Sequence, residues 1–323
     1  MCTAITFEKA DHYFGRNLDL EYHYQEAVTI TPRKYPFVFR HMPVMTEHFG
    51  MIGMATVSED YPLYYDAVNE YGLSMAGLNF PGNAVYYPFS EAHDNIAPFE
   101  FIPWILGQCK TLQDAKACLA TLNITGISFN EAFPLSPLHW IIADQTGAIT
   151  VETLKDGMRI TDNPVGILTN NPPFEFHLQN LTNYLNLTAE EPVNRFSSHL
   201  EITPYSRGMG AIGLPGDLSS ASRFVRGAFA KWNSMCADTE SDCICQFFHI
   251  LSSVEQQQGC VKVNGAYEKT VYSSCINMDK GIYYYTTYEN RLINGIHLLR
   301  ELLNSDSLII YPLKYETEIN WGN

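Results

Sequence analysis

Apolar and polar residues alternate at the start of the chain, and its first half reads mainly as strands. CTAITFE (2–8) and HYFGRNLDL (12–20) read as the arms of a hairpin turned at Lys9, Ala10 and Asp11. EAVTITP, GMIGMATV, LYYDAV and LSMAGLNF follow as further strands, each bounded by turn-forming residues. The period then changes. IAPFEFIPWILGQC predicts a helix with a proline near its start, where a missing N–H matters least. TLQDAKACLATLN predicts a second, with Thr111 and Asp114 in capping-box spacing. Strands return in LHWIIAD and AITVETL, joined at Gln145, Thr146 and Gly147. FEFHLQNLTNYLNL, SSASRFVRGAFAKW and SDCICQFFHILSSV carry apolar residues at helical spacing. TVYSSCINM and GIYYYTTYEN predict a hairpin across Asp279, Lys280 and Gly281, and LIIYPLKY a last strand.

Strands, then helices, then strands again do not alternate as βαβ units would. The order fits antiparallel sheets covered by helices, an α+β layered architecture. No repeat, low-complexity run or linker rich in Gly, Ser or Pro divides residues 1–323, so one domain is expected.

Composition narrows the possibilities. With 46% hydrophobic and 17% charged residues the chain can build a sizeable core. A net charge of −15 argues against a nucleic-acid partner, and leaves any anionic substrate to local arginines or apolar contact. No run approaches the roughly 18–20 apolar residues needed to cross a bilayer. Glu8, Lys9, Asp11 and Arg16 interrupt any early apolar run, so the start lacks a signal-peptide layout and a cytosolic protein is expected. The sequons at Asn123, Asn180 and Asn186 then carry no meaning. Eight cysteines are too sparse for a disulfide scaffold, and Cys236, Cys243 and Cys245 lack the paired spacing of a zinc site. His139 alternates with apolar neighbours and reads as a hydrogen-bonded core histidine. Gly208, Gly210 and Gly213 lack the lysine of a phosphate loop.

Candidate chemistry begins at Cys2. Trimming of Met1 would leave a residue carrying both a thiol and a free α-amine. Such an amine ordinarily titrates at about 7.7–8.0, and can take the thiol proton without a histidine. Arg16, across the hairpin, would favour the thiolate, and Asp19 could orient the amine. Taken singly, the other polar candidates have ordinary readings. Asn79 precedes a Phe80-Pro81-Gly82 turn, Asn170 opens an Asn-Asn-Pro turn, and Arg223 fits a solvated helix start.

Seven strings change that balance: the opening MCT, FGRNLD (14–19), NEYGLSMAGLNFPG (69–82), LHWIIAD (138–144), GILTNNP (166–172), GLPGDLSSASRF (213–224) and GIYYYTTYEN (281–290). Together, and from end to end, they resemble the choloylglycine hydrolases, or conjugated bile acid hydrolases, among the N-terminal-nucleophile hydrolases. The resemblance implies a four-layer αββα sandwich with two antiparallel sheets, and a bacterial cytoplasmic homotetramer without metal or cofactor. It makes Cys2 the nucleophile of a thioester mechanism, with Arg16 stabilising the thiolate and Asp19 binding the amine. Asn79 would contribute to the oxyanion hole, Asn170 would position amine and substrate, and Arg223 would support the nucleophile's surroundings. Asparagine at 79 is similar to the bile salt branch; many penicillin V acylases, the alternative on this scaffold, carry tyrosine there. Leu18, Leu20, Tyr24, Tyr64, Tyr65, Phe133 and Leu135 are the expected apolar contacts for a steroid. Arg207, in a Ser-Arg-Gly loop, is expected to meet the glycine carboxylate or taurine sulfonate, with glycine conjugates favoured.

Overall fold

The early alternation becomes six strands in the computed structural model, which describes residues 1–323: β1 (Cys2–Glu8), β2 (His12–Leu20), β3 (Ala27–Thr31), β4 (Met51–Ser58), β5 (Tyr61–Asn69) and β6 (Ser74–Asn79). Next come β7 (Asp94–Ile96), helices α1 (Phe101–Gln108) and α2 (Leu112–Leu119), and β8 (Leu122–Ile124). Strands β9 (Leu138–Asp144), β10 (Gly147–Leu154), β11 (Gly157–Asp162) and β12 (Ile167–Leu168) lead into α3 (Phe174–Asn180), α4 (Ser220–Asn233) and α5 (Glu240–Ser252). The chain closes with β13 (Val261–Val263), β14 (Ala266–Asn277), β15 (Ile282–Thr287), β16 (Asn294–His297) and β17 (Ile309–Pro312).

Two large antiparallel sheets result. One runs β12-β1-β2-β14-β15-β16, with β13 added on β14; the other runs β11-β10-β9-β6-β5-β4-β3-β17. The β1–β2 hairpin turns where the alternation predicted, with Cys2 opposite Leu18 and Ala4 opposite Arg16. Strand β14 lies against β2 so closely at Gly15 that a Cβ there would sit 2.0 Å from the Ser274 carbonyl oxygen; only glycine fits. Helices α4 and α5 cover the first sheet through β1, β2, β12 and β14, while α1 and α2 cover the second through β5, β6 and β9. The layers are therefore helix, sheet, sheet, helix.

The second sheet has two unlike faces. Outward, Met51, Ala67, Met75, Trp140, Ile142 and Val151 form a cluster with Phe101, Ile105 and Leu106 of α1. Inward, Ile52, Val68, Ala76, Leu78 and Ile141 join Ala4, Phe14, Leu18 and Ile276 of the facing sheet. Each valine, leucine, isoleucine, methionine or phenylalanine among them contributes about 1.5–3 kcal/mol on full burial.

Local signals explain most helix ends. Thr111 Oγ1 accepts from Asp114 N–H (3.1 Å) and Asp114 Oδ2 accepts from Thr111 N–H (3.0 Å), completing the expected capping box. Three predicted helices are shorter than their patterns. Ile96 belongs to β7, and Glu100 accepts backbone N–H groups from Ala97 (2.7 Å) and Arg40 (2.6 Å), which holds the entry to α1 as a single 3-10 turn. Helix α2 stops at Leu119 because 122–124 pairs in parallel with β7. Helix α3 gives way at Leu181–Tyr184 to a 3-10 turn. No helix is long and apolar enough to cross a membrane.

Candidate active site

The hairpin register sets the site's first contact. Cys2, Ala4, Arg16 and Leu18 occupy paired positions of β1 and β2, and Cys2 is buried. Its backbone N–H donates to Asn170 Oδ1 at 2.9 Å. Asn170 lies two residues beyond β12, which pairs with β1, and its Nδ2 donates to the Asn79 carbonyl oxygen at 2.7 Å. One asparagine thus ties the start of β1 to the end of β6 in the opposite sheet. Ser220 Oγ, at the start of α4, accepts from Asn170 N–H at 2.8 Å.

Arg223 is fully buried rather than solvated. The turn of α4 that carries it faces β1, so its guanidinium donates to the Cys2 carbonyl oxygen (2.5 Å), Thr3 Oγ1 (2.5 Å) and Asn170 Oδ1 (2.7 Å). Burial lowers its pKa below the usual arginine value. Arg16, also fully buried, donates Nη1 to the carbonyl oxygens of Tyr65 (2.9 Å) and Gly77 (2.6 Å); Nη2 has no partner. Burial opposes its charge, but Cys2, Tyr272, Asp66 and Asp19 outweigh it and raise the pKa.

Three buried carboxylates complete the surroundings. Asp66 accepts from the hydroxyls of Tyr272 (2.5 Å), Tyr283 (2.8 Å) and Ser274 (3.0 Å), and Ser274 Oγ in turn accepts from Arg16 N–H (3.1 Å). Asp19 Oδ1 accepts from Thr270 (2.6 Å), while Oδ2 has no partner. Burial pushes both aspartates above the ordinary carboxylate range, against the pull of nearby cations and hydroxyls. The Met1 ammonium pairs with Glu268 and donates to the Asp19 carbonyl oxygen at 2.7 Å.

Beside this cluster lies an apolar cavity lined by sixteen residues, eleven of them hydrophobic. Tyr65 and Gly77, whose carbonyls hold Arg16, both line it, as do Tyr64, Phe133 and Leu135. Tyr24 approaches its edge, 6.2 Å from the Phe133 ring. The other expected contacts lie apart from the lining: Leu18 is buried in the inter-sheet core and Leu20 packs against it. Arg207 is exposed on its loop, and its guanidinium makes no contact with the cluster. Asn79 points an exposed side chain that makes no hydrogen bond within the protein. A larger cavity, about 640 Å³, lies between Thr6, Asn163 and Lys231 and holds none of the candidate residues.

All eight cysteines are free. Cys236 and Cys243 approach to 3.5 Å, but Cys245 is exposed, and no three His, Cys, Asp or Glu side chains gather as a metal-holding group. Sequence reasoning missed Asp66, Glu268, Thr3 and Ser220. The signal for Asp66 was a lone charge inside the apolar strand LYYDAV; the other three gave none.

Two facing antiparallel sheets clad in helices, with a cysteine opening a strand of the first sheet, define an N-terminal-nucleophile hydrolase sandwich. Residues 2–311 match the profile of the linear amide C–N hydrolases, choloylglycine hydrolase family. A bile salt hydrolase/transferase of Lactiplantibacillus plantarum is 54% identical over 98% of this chain and 98% of its own length. A mutant of the conjugated bile acid hydrolase from Clostridium perfringens superposes with a TM-score of 0.92 at 35% identity, both chains covered in full. Penicillin V acylase from Agrobacterium tumefaciens shares the fold, at a TM-score of 0.73 and 15% identity over 99% of this chain and 100% of that one. The chain belongs to the choloylglycine hydrolase family.

Proposed function

We propose that the protein hydrolyses the amide bond of glycine- and taurine-conjugated bile acids, as a single domain whose mature chain begins at Cys2. The observation that carries the reading is the Asn170 bridge: it fixes the Cys2 nitrogen beside buried Arg223 and ties it to Asn79. The identity to the Lactiplantibacillus plantarum bile salt hydrolase/transferase supports the substrate class.

With Met1 removed, the Cys2 nitrogen becomes an amine that can take the thiol proton, and Asp19 Oδ2, which lacks a partner, is the acceptor left for it. The buried charge of Arg16 favours the thiolate. The thiolate attacks the amide carbonyl, and the exposed Asn79 amide donates to the developing oxyanion, worth about 3–4 kcal/mol in comparable sites. The amine protonates the departing glycine or taurine nitrogen, leaving a Cys2 thioester. Water, deprotonated by the same amine, releases the bile acid. Asn170 holds amine and substrate in place, and Arg223 fixes the strand end that carries them.

The steroid enters the apolar cavity at Tyr65, Phe133 and Leu135 and contacts Tyr24, with Leu18 and Leu20 behind. Its burial contributes about 25 cal/mol per Å², which lets a chain of net charge −15 hold an anion. Arg207 meets the carboxylate or sulfonate when its loop closes, with glycine conjugates preferred. No metal or organic cofactor enters. The bacterial enzyme works in the cytoplasm as a homotetramer, and Leu185, Phe196 and Tyr205, each 85% exposed, are apolar surface for such contacts to cover.

The test is amine release from glycocholate, taurocholate and penicillin V by Met1-trimmed protein, beside Cys2→Ser. Glycine or taurine release that vanishes in the variant is expected. Release from penicillin V alone would move the enzyme to the acylase branch, and release that persists in Cys2→Ser would remove Cys2 as nucleophile.

A further inference from the structure

We infer that His139 and His177 form a paired brace that sets the positions of Asn79, Asn170 and Arg223, so that both are positioning residues for turnover. The inference rests on the catalytic reading above. Both side chains are fully buried.

His139 stands opposite Leu78, one residue before Asn79. Its ring stacks on Phe80, the residue after Asn79, with centroids 4.1 Å apart and planes 5° from parallel. Its Nε2 lies 2.8 Å from the Thr169 carbonyl oxygen, one residue before Asn170. A carbonyl can only accept, so Nε2 donates. Nδ1 lies 3.0 Å from Glu152 Oε1, which also accepts from Phe174 N–H at 3.0 Å. Glu152 therefore fixes the ring in the orientation that the Thr169 contact needs.

His177, on α3, takes the other side. Its Nε2 donates to the Asn170 carbonyl oxygen at 3.0 Å, and its ring stacks on Phe224, next to Arg223, with centroids 4.8 Å apart and planes 19° from parallel. Burial pushes its pKa down, which favours a neutral ring with its proton on Nε2.

A histidine that only fills the core could satisfy itself with any acceptor. Here four contacts of two rings each end on a candidate catalytic residue or the residue beside one. Three loops from β6, β12 and the start of α4, far apart in sequence, are otherwise joined only by the asparagine and arginine contacts and by Ser220 Oγ, which bonds Asn170 N–H and Thr169 Oγ1. The imidazoles are rigid plates that hold those loops at fixed separation. Misplacement of a reacting group by about 1 Å can cost on the order of 10²-fold in rate.

The test uses His139→Leu, His177→Leu and the partly conservative His139→Gln and His177→Gln, all in the Met1-trimmed full chain. Three quantities are read: kcat and KM on glycocholate, melting temperature, and the rate of Cys2 alkylation by iodoacetamide, followed by peptide mass. The leucine variants are expected to lose about 10- to 100-fold in kcat with KM little changed, and to alter the alkylation rate. The glutamine variants, whose side-chain N–H can reach the same carbonyls, should recover part of both. Melting temperatures that fall while kcat per folded molecule and alkylation stay at wild-type values would overturn the inference. Should a leucine variant fail to fold, its glutamine counterpart decides: wild-type kcat and alkylation there overturn the inference equally. Wild-type protein inactive on conjugated bile salts would sink the substrate reading, and the alkylation rates would still decide the brace.

Discussion

The two faces of the eight-stranded sheet are built from the same strands and do different work. Outward, Met75, Trp140, Ile142 and Val151 meet the apolar side of α1, and stability there depends on area and fit alone. Inward, the alternating positions include Asp66, His139 and Glu152, all buried and all partnered. Removing an ion from water costs several kcal/mol even after relaxation. The inner face tolerates that because the two sheets satisfy each other: two tyrosines and a serine of the facing sheet donate to Asp66, and carbonyl oxygens of β5 and β6 accept in turn from Arg16 of that sheet. A helix layer with its own hydrogen bonds satisfied internally could not do so. Between the sheets, buried charge is surrounded by partners from both sides, and Arg223 joins it from α4 through the same strand end.

Breaking that inner network should have the largest effect. Arg16→Met leaves Asp66 buried without its neighbouring cation, and Asp19 with one fewer, and is expected to cost about 3–5 kcal/mol in denaturant unfolding; a loss below about 1 kcal/mol would show that the hydroxyls alone sustain Asp66. Ile142→Val, on the outer face, should cost about 0.5–1.5 kcal/mol and leave turnover untouched. A clear fall in its kcat would mean the two faces are coupled. The smallest effect concerns Asp217, which belongs to neither face. Hydrogen bonds from Ser219 and Ser222 hold its pKa down at about 2, below the usual carboxylate range. The folded-state benefit is complete above the unfolded value and disappears as pH falls through that window. Melting curves of wild type should therefore decline more steeply than those of Asp217→Asn between about pH 4 and pH 2; parallel curves would dismiss the contact.

What the chain disclosed about itself follows the same division. Period-two alternation is local, so both hairpins, at 2–20 and 266–287, were legible strand by strand. The short parallel pair β7–β8 was not, because Ile96 and Leu122 also continue a helical apolar pattern and only their pairing in space decides. The site shows the contrast more sharply. Cys2, Asn79 and Asn170 were visible through their motifs, but no local rule could foresee that Arg223 would be buried against Cys2, or that Arg16 would reach two carbonyls 49 and 61 residues away. Those contacts are set by which strands adjoin, and Glu268 escaped notice for the same reason.

The Asp66 cluster also constrains how such a sequence can change over generations. An outer-face position can exchange one aliphatic side chain for another in a single step, each intermediate remaining folded. Asp66 cannot, since its loss strands three hydroxyls and removes a countercharge from Arg16 together. Any viable route must alter several residues on four strands of the two sheets nearly at once, so this cluster should drift as a linked block while the helix-covered side wanders freely.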